Sequence, residues 1–459
     1  MYDLIYILTS GRTIWSFGSL DCSRKLVSFL STQTQSMVSF VTGAFLATNV
    51  VGAWNIYLTY RQEKAHRTNV IPNNAKAFVS EEDFAKTQAY SRAKLKYSLW
   101  HQVKELVENN VTLKCQVFPL LWYATQRWTG LPLGSLSHCI AFGAVTETIN
   151  TAIELPWRYY YNFVLEEAYG FNRMTLLEFI KDTIKRFLLT VGVFNPINFV
   201  IVNFVVKRFG AQFPIYMFGI GSAVVFAAMY LVPVLIMPLF NKFTPLTEES
   251  SLFRETKKLA DQLKFPLTKI YEVDGSRRSA HSNAYFYGFF NNKRIVLYDT
   301  LIKQMEEEEI LAVLCHEFGH WYHNHTLANL GIGLGQLAAI CFSARSVMFN
   351  AGMYSEFGFQ RGDTTPIVGF SLFSAYFLPP VMEVVQAAMS ALSRQFEFQA
   401  DRFAIDMGYG HKLRSGLVKM QKENLASVTP DWLYASCRYS HPPLPTRLSA
   451  IDEELKKKE

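Results

Sequence analysis

The sequence predicts a mostly helical membrane protein that carries one small α+β domain. Three observations point there. Hydrophobic residues make up 50% of the 459 and charged residues only 18%, which is apolar and charge-poor for a soluble chain of this size. The apolar residues fall in blocks long enough to cross a bilayer. Between two such blocks, residues 241–325 read instead as short strands leading into a charged helix.

A membrane-crossing helix needs about 20 mostly apolar residues. Stretches of that kind lie at 37–60, 107–128, 136–156, 187–206, 215–240, 326–348 and 366–392, seven in all. Pro119 interrupts the second, Pro196 lies in the fourth, and Pro379 with Pro380 bends the seventh. Prolines are tolerated in such helices when neighbours satisfy the freed backbone groups. An odd number of spans puts the termini on opposite sides. The loops after the first and third blocks are rich in Lys and Arg, from Arg61 to Lys96 and from Arg158 to Arg186, whereas TGLPLGSL after the second is uncharged. Cytosolic loops hold the excess of Lys and Arg, so the N-terminus faces the lumen and the C-terminus the cytosol. The first residues, MYDLIYILTSGR, lack the leading positive region of a signal peptide.

Those loops account for the formal net charge of +7. No basic module interleaved with aromatics is present, so no nucleic-acid partner is expected. The six cysteines are scattered without a C-x-x-C pair, which indicates neither a disulfide framework nor a thiolate metal cluster.

Within 241–325, KIYEVD (Lys269–Asp274), NAYFYGF (Asn283–Phe289) and KRIVLYD (Lys293–Asp299) have the Val, Ile, Tyr and Phe content of strands. Asn291-Asn292 suits a tight hairpin between the last two. EEEEILAVLCHEFGHW follows as a helix, its acidic run Glu306–Glu309 suited to the positive N-terminal end.

That helix contains H-E-x-x-H. The spacing puts His316 and His320 on one face, where both can hold one Zn²⁺, with Glu317 beside the open position to take a proton from water. A surface helix with two incidental histidines is the bland alternative. The extended motif H-E-x-x-H-x-x-G-x-x-H does not supply the third ligand, because His323 and Thr326 stand where it requires Gly and His. A better candidate lies in LSRQFEFQADRFA, which continues the seventh block as a helix. There Glu397 and Asp401 are one turn apart, the first as ligand and the second orienting a ligand histidine. From spacing alone, Glu397 is equally a solvent-facing carboxylate. His323 and His325 read as helix-end residues near the membrane surface. His441 and Arg447, in YSHPPLPTRLSAID, are candidate donors to an oxyanion, although sequence mechanics alone favours a plain turn opening a terminal helix at Pro445. HSNAYFYGFF serves equally as a core strand or as an edge to which an extended peptide adds. Ionisable and amide groups inside the blocks, among them Lys114, Glu147, Glu154, Asn195 and Glu383, are costly in lipid. Their number suggests a hydrated cavity between the spans.

An ordered set of motifs, YLTYRQ, NFVLEEAYGFNRMT, VLIMPLFNKFTPL, HSNAYFYGF, CHEFGHW, SRQFEFQAD and HPPLPTRL, resembles the type I CAAX prenyl proteases, integral-membrane zinc metalloproteases of the gluzincin group. The resemblance covers nearly the whole chain. It implies a barrel of seven tilted helices around a chamber, capped by the zinc domain. It implies one Zn²⁺ held by His316, His320 and Glu397, with Glu317 as general base and Asp401 as the orienting acid. His441 and Arg447 would line the site, and Asn283, Ala284 and Tyr285 would form the substrate-binding edge. The implied activity is release of the last three residues from prenylated C-a-a-X proteins, with a second upstream cut in some precursors.

The chain would then comprise a lumenal segment, 1–36, and five spans with cytosolic loops, 37–240. A soluble protease domain, 241–325, and spans six and seven, 326–392, would precede a third-ligand helix and cytosolic part, 393–459. Partners would be prenylated C-terminal peptides and the bilayer. The end, KKKE, puts Lys456 and Lys457 at the spacing of a dilysine retrieval signal, consistent with the endoplasmic reticulum membrane and the contiguous nuclear envelope. Two alternatives differ in class: a broader quality-control protease that clears stalled or misfolded membrane proteins, and a seven-span receptor or transporter with an incidental metal site.

Overall fold

The computed structural model describes residues 39–289 and 292–458. The expected lumenal segment 1–36, Cys22 and Asn291 of the expected hairpin turn lie outside them. Helix α1 (Phe40–Ala65) opens on Ser39, whose hydroxyl accepts from the Thr42 amide. Helix α2 (Glu81–Lys114) is capped in the same way by Ser80, with Glu81, Glu82 and Asp83 in its first turn. The cytosolic loop expected after the first block is therefore largely one long, charged helix. The apolar test for a span missed it because α2 turns its charge inward, as shown below.

Helix α3 (Val117–Thr129) follows a break at Gln116, whose φ is 51°. The interruption expected at Pro119 falls three residues earlier. Pro119 is in the first turn of α3, where backbone N–H groups have no intrahelical partner to lose. Helix α4 (Leu136–Tyr160) runs on through a π-helical turn, Tyr161–Glu166. Helices α5 (Leu176–Leu189), α6 (Asn195–Phe209), α7 (Phe213–Leu231) and α8 (Met237–Phe240) form one helical run, turned at Gly210 (φ 50°). Its other interruptions are π-helical turns beside Pro196 and inclusive of Pro233, which absorb the backbone groups a proline frees.

Among the described residues, two helical runs are long and apolar enough to cross a membrane, Leu176–Phe240 and His325–Met348. A bent pair with a 58° break, Pro366–Phe377 and Pro379–Asp406, makes a third if counted as one span. By this measure the count is two or three, not seven. Asn49 and Asn55 dilute α1, Glu147 and Glu154 interrupt α4, and α2 is charged throughout.

The small domain is a four-stranded sheet with helices against it. Its strands are β1 (Phe243–Pro245), β2 (Leu267–Val273), β3 (Ala284–Phe289) and β4 (Asn292–Tyr298), in the order β1-β2-β4-β3. β2 and β4 run parallel, and the other pairs are antiparallel. The three expected strands are present; β1 was not foreseen, being only three residues long. β3 is an edge strand. Its hairpin with β4 demands Gly288, at φ 117°, where an added Cβ would lie 2.0 Å from the Asn292 carbonyl oxygen.

Helix α9 (Ser251–Gln262) precedes β2, and α10 (Asp299–Gln304) leads to the motif helix α11 (Glu307–Tyr322). The acidic run closes a capping box at the start of α11, between Glu306 and Glu309. Then come α12 (His325–Met348), α13 (Ala351–Glu356), α14 (Pro366–Leu372) and α15 (Pro379–Asp406). The chain ends with α16 (Gly410–Glu423), α17 (Trp432–Arg438) and α18 (Leu444–Lys456). One apolar core, around Trp122, Phe142, Val205 and Tyr354, joins the long helices. A second, around Ile270, Ile295, Leu297, Leu314 and Phe318, joins the sheet to α11 and α15.

Candidate metal centre

The site forms where α11 crosses α15. Their approach is close because residue 319, between the two motif histidines, is glycine. A Cβ there would meet Ala400 Cα at 3.0 Å and Phe403 Cβ at 3.1 Å. The crossing sets Glu397 against both histidines: Glu397 Oε1 lies 3.3 Å from His320 Nε2, and Glu397 Oε2 lies 3.6 Å from His316 Nε2. The two Nε2 atoms are 3.1 Å apart. Donors about 2.0–2.1 Å from a tetrahedral zinc ion sit roughly 3.3 Å from one another, so the spacing matches that ion. Glu397 Oε2 is buried and makes no hydrogen bond, though Arg447 Nη1 stands 3.3 Å away, so it keeps room to meet a metal ion as well. Donor chemistry and spacing therefore both fit a metal held by His316, His320 and Glu397.

The surrounding groups hold this set in place. Asp401 Oδ1 is 2.9 Å from His316 Nδ1. Arg447, buried at the start of α18, gives Nε and Nη2 to Asp401 at 2.9 and 2.6 Å. Its Nη1 reaches Glu397 Oε2 at 3.3 Å. Three of the five guanidinium N–H groups can thus serve two carboxylates, Asp401 and Glu397. His441 comes from the Pro-rich turn before α18 and lies with Nε2 3.3 Å from Glu397 Oε1. Its ring is largely exposed, and it faces the cavity described next. Glu317 lies beside the histidines. Burial pushes its carboxyl above the ordinary range, an effect that His316 and His320 oppose.

A cavity of about 1100 Å³ adjoins this centre through His441 and Arg447, and is lined also by Lys94, Ser98 and His101 from α2 and by His281. Here the inward charge of α2 is accounted for. His101 Nε2 is 3.0 Å from Glu154, and Lys104 pairs with both Glu154 and Glu108. Glu383 is met by Arg438 at 2.7 Å. Two of the polar span residues, Glu154 and Glu383, thus meet partners on other helices.

The edge strand runs beside α11. Asn283 is exposed, its side-chain oxygen accepting from the Ala284 amide at 2.8 Å; Ala284 is buried and Tyr285 half-buried. Sequence reading missed three residues here. Arg394 donates to the carbonyls of Ala435 and Tyr439 at 3.1 and 2.7 Å and so anchors the turn that carries His441. His325, expected at a helix end near the membrane surface, is buried against His320, and Gln399 meets it. The backbone explains this: Asn324, at φ 58°, breaks α11 from α12 and turns His325 back. No periodicity signals such a break.

A buried two-histidine, one-carboxylate centre with an adjacent glutamate, beneath long apolar helices, defines the class as a membrane-bound metallopeptidase. Comparison with known proteins agrees. Residues 59–242 match the model of the CAAX prenyl protease N-terminal region, described as five membrane helices, and residues 246–455 match peptidase family M48. A CAAX prenyl protease 1 homolog of Arabidopsis thaliana is 41% identical over 89% of this chain and 96% of that protein. CAAX prenyl protease 1 of Saccharomyces cerevisiae is 38% identical over 88% and 93%, and the Homo sapiens homolog 34% over 87% and 92%. The crystal structure of S. mikatae Ste24p superposes with a TM-score of 0.86 at 35% identity, covering 91% of this chain and all of that one. The chain belongs to the CAAX prenyl protease 1 family, within peptidase family M48.

Proposed function

We propose that this protein is a zinc endopeptidase of the membrane that removes the C-terminal -aaX tripeptide from prenylated C-a-a-X proteins. The observation that carries this reading is the convergence of His316, His320 and Glu397 on one point, with Glu317 beside them, next to a large cavity that His441 and Arg447 line. A zinc ion held by those three residues supplies positive charge that acidifies water and polarises a carbonyl.

The chain's own residues do the rest. Glu317 accepts a proton from the attacking water as the water oxygen bonds to the scissile carbonyl carbon. The same carboxyl then delivers that proton to the nitrogen as the C–N bond breaks. Its raised affinity for a proton suits a group that must hold one between the two steps. His441, exposed to the cavity, donates to the developing oxyanion. Arg447 and Asp401 hold His316 and Glu397 in register. Asn283, Ala284 and Tyr285, on the free edge of the sheet, pair with an extended substrate through the backbone. The large cavity, lined by both polar and apolar side chains, admits the peptide. The prenyl chain prefers apolar surroundings by about 0.8 kcal/mol per CH₂, which favours substrates already at the bilayer.

The reading extends to topology. Seven spans would enclose the cavity, with the divisions 37–240, 241–325, 326–392 and 393–459, the C-terminus in the cytosol and the N-terminus lumenal. The family's five-helix N-terminal region supports a count above that of the strongly apolar helices. The endoplasmic reticulum membrane is the proposed compartment. The deciding experiment offers purified protein in detergent a farnesylated C-a-a-X peptide and its unprenylated twin, beside Glu317→Gln. Cleavage of the farnesylated peptide alone, abolished in the variant, is the expected result. Equal cleavage of both peptides would make the protein a broader membrane protease.

A further inference from the structure

The two motif histidines are held by different chemistry. His316 Nδ1 faces the carboxylate of Asp401. His320 Nδ1 faces another ring, with His325 Nδ1 at 2.9 Å, and His325 Nε2 lies 2.7 Å from Gln399 Oε1. His325 is 3% exposed and stacks on Phe396 with ring centroids 4.0 Å apart and planes 10° from parallel. This ring is held flat, and both its nitrogens are engaged.

One proton lies between the two Nδ1 atoms, and it has two possible owners. If His325 donates, His320 accepts at Nδ1 and a neutral His320 must carry its own proton on Nε2. That proton would occupy the atom that faces His316 Nε2 at 3.1 Å and Glu397 Oε1 at 3.3 Å, where a metal ligand needs a lone pair. If His320 donates, its Nε2 lone pair is free. His325 then carries its proton on Nε2, where the Gln399 oxygen accepts it. The second order satisfies every nitrogen.

We infer that His325 and Gln399 form a neutral relay that fixes the metal-binding tautomer and ring orientation of His320. His325 is a positioning residue, resting on the reading of His320 as a ligand. The break at Asn324 builds the relay by returning the first residue of α12 to the last turns of α11. A neutral relay is a weaker partner for His320 than the Asp401 carboxylate is for His316, so His320 is the weaker-held of the two histidine arms.

The test is zinc release to a chelator from the full-length, zinc-loaded protein in detergent, without substrate. His325→Phe keeps the stack on Phe396 but offers no acceptor. Gln399→Leu, at an exposed position on α15, removes the far end without touching the core. Both should weaken zinc retention by about 10–100-fold. Gln399→Glu keeps an acceptor for the Nε2 proton and should hold zinc at least as long as the wild type. Absorption of the cobalt-substituted protein should shift in the first two variants and not in the third. Wild-type zinc retention in both His325→Phe and Gln399→Leu overturns the relay, even if peptide cleavage falls. Faster release in these two, with no cleavage of the farnesylated peptide by the wild type, sustains the relay and overturns the proposed substrate instead.

Discussion

The long-helix bundle and the small domain treat apolar and charged residues in opposite ways. On the bundle, Leu177, Ile184, Leu188 and Phe204 are more than half exposed on the outside. Its charge lies between helices, with Lys104 set against Glu154 and Glu108 and with Arg438 set against Glu383. In the small domain Leu314, Phe318, Ile295 and Leu297 are fully buried, and charged pairs such as Lys412 with Glu308 lie on the surface. The first arrangement suits a surround of lipid and an interior of water; the second suits the reverse. The metal centre sits where the two meet, because α15 belongs to both. Its first half, after the 58° break that precedes Pro379, runs with the long helices, and its last turns pack on α11.

That contrast can be broken or sharpened by substitution, the largest effect coming at the seam. Glu317→Gln removes the proposed proton carrier and leaves the candidate ligands in place. Peptide hydrolysis should fall by about 10²–10⁴-fold, while bound zinc, measured by metal analysis, stays near the wild-type level. Next is Asp401→Asn, which strips the buried Arg447 of its bidentate partner. A buried charge left unpaired costs about 3–5 kcal/mol; Arg447 keeps its contact with Glu397, so the loss should fall below that range, to be read from denaturant melts of the detergent-solubilised protein. An unchanged midpoint would show that water reaches Arg447 and that the seam is wetter than its burial indicates.

The apolar halves of the comparison are tested together. Leu314→Ala should lose about 2–5 kcal/mol. Ile184→Ala, with its side chain turned outward, should lose almost nothing in the same melt. Equal losses would mean that the α5 surface is covered by protein and does not face lipid.

The smallest effect concerns pH. Burial raises the Glu309 carboxyl, but the Glu306 amide, Ser415 and Lys419 together hold it below its ordinary value. A carboxylate depressed in the folded state adds stability above its unfolded pKa and loses it as pH falls through the folded value. Wild type should therefore lose stability on acidification below pH about 4.3, and Glu309→Gln should lose less. At neutral pH the variant should be about 0.3–1 kcal/mol weaker, from the negative charge lost at the helix N-terminus beside Lys419, since glutamine still accepts from the Glu306 amide.

Much of the molecule follows from its sequence alone, because the determinants are local. Alternating β-branched and aromatic residues make the strands, H-E-x-x-H places two imidazoles on one helical face, and Glu397 and Asp401 stand one turn apart because a helix repeats every 3.6 residues. The motif order marked the family. What only the tertiary structure decided are meetings between parts distant in the chain. Arg447 grips Asp401 across 46 residues, and Gln399 reaches His325 across 74. Whether α2 hides its charge depends on α4 supplying Glu154 opposite. A hydropathy window cannot register this, since it averages a helix over all its faces. The left-handed turns at Gln116 and Asn324 also escaped sequence reading. No glycine marks either turn. Asparagine enters the left-handed region readily, so Asn324 suits its turn, whereas at Gln116 the packing of the helices on each side imposes the conformation.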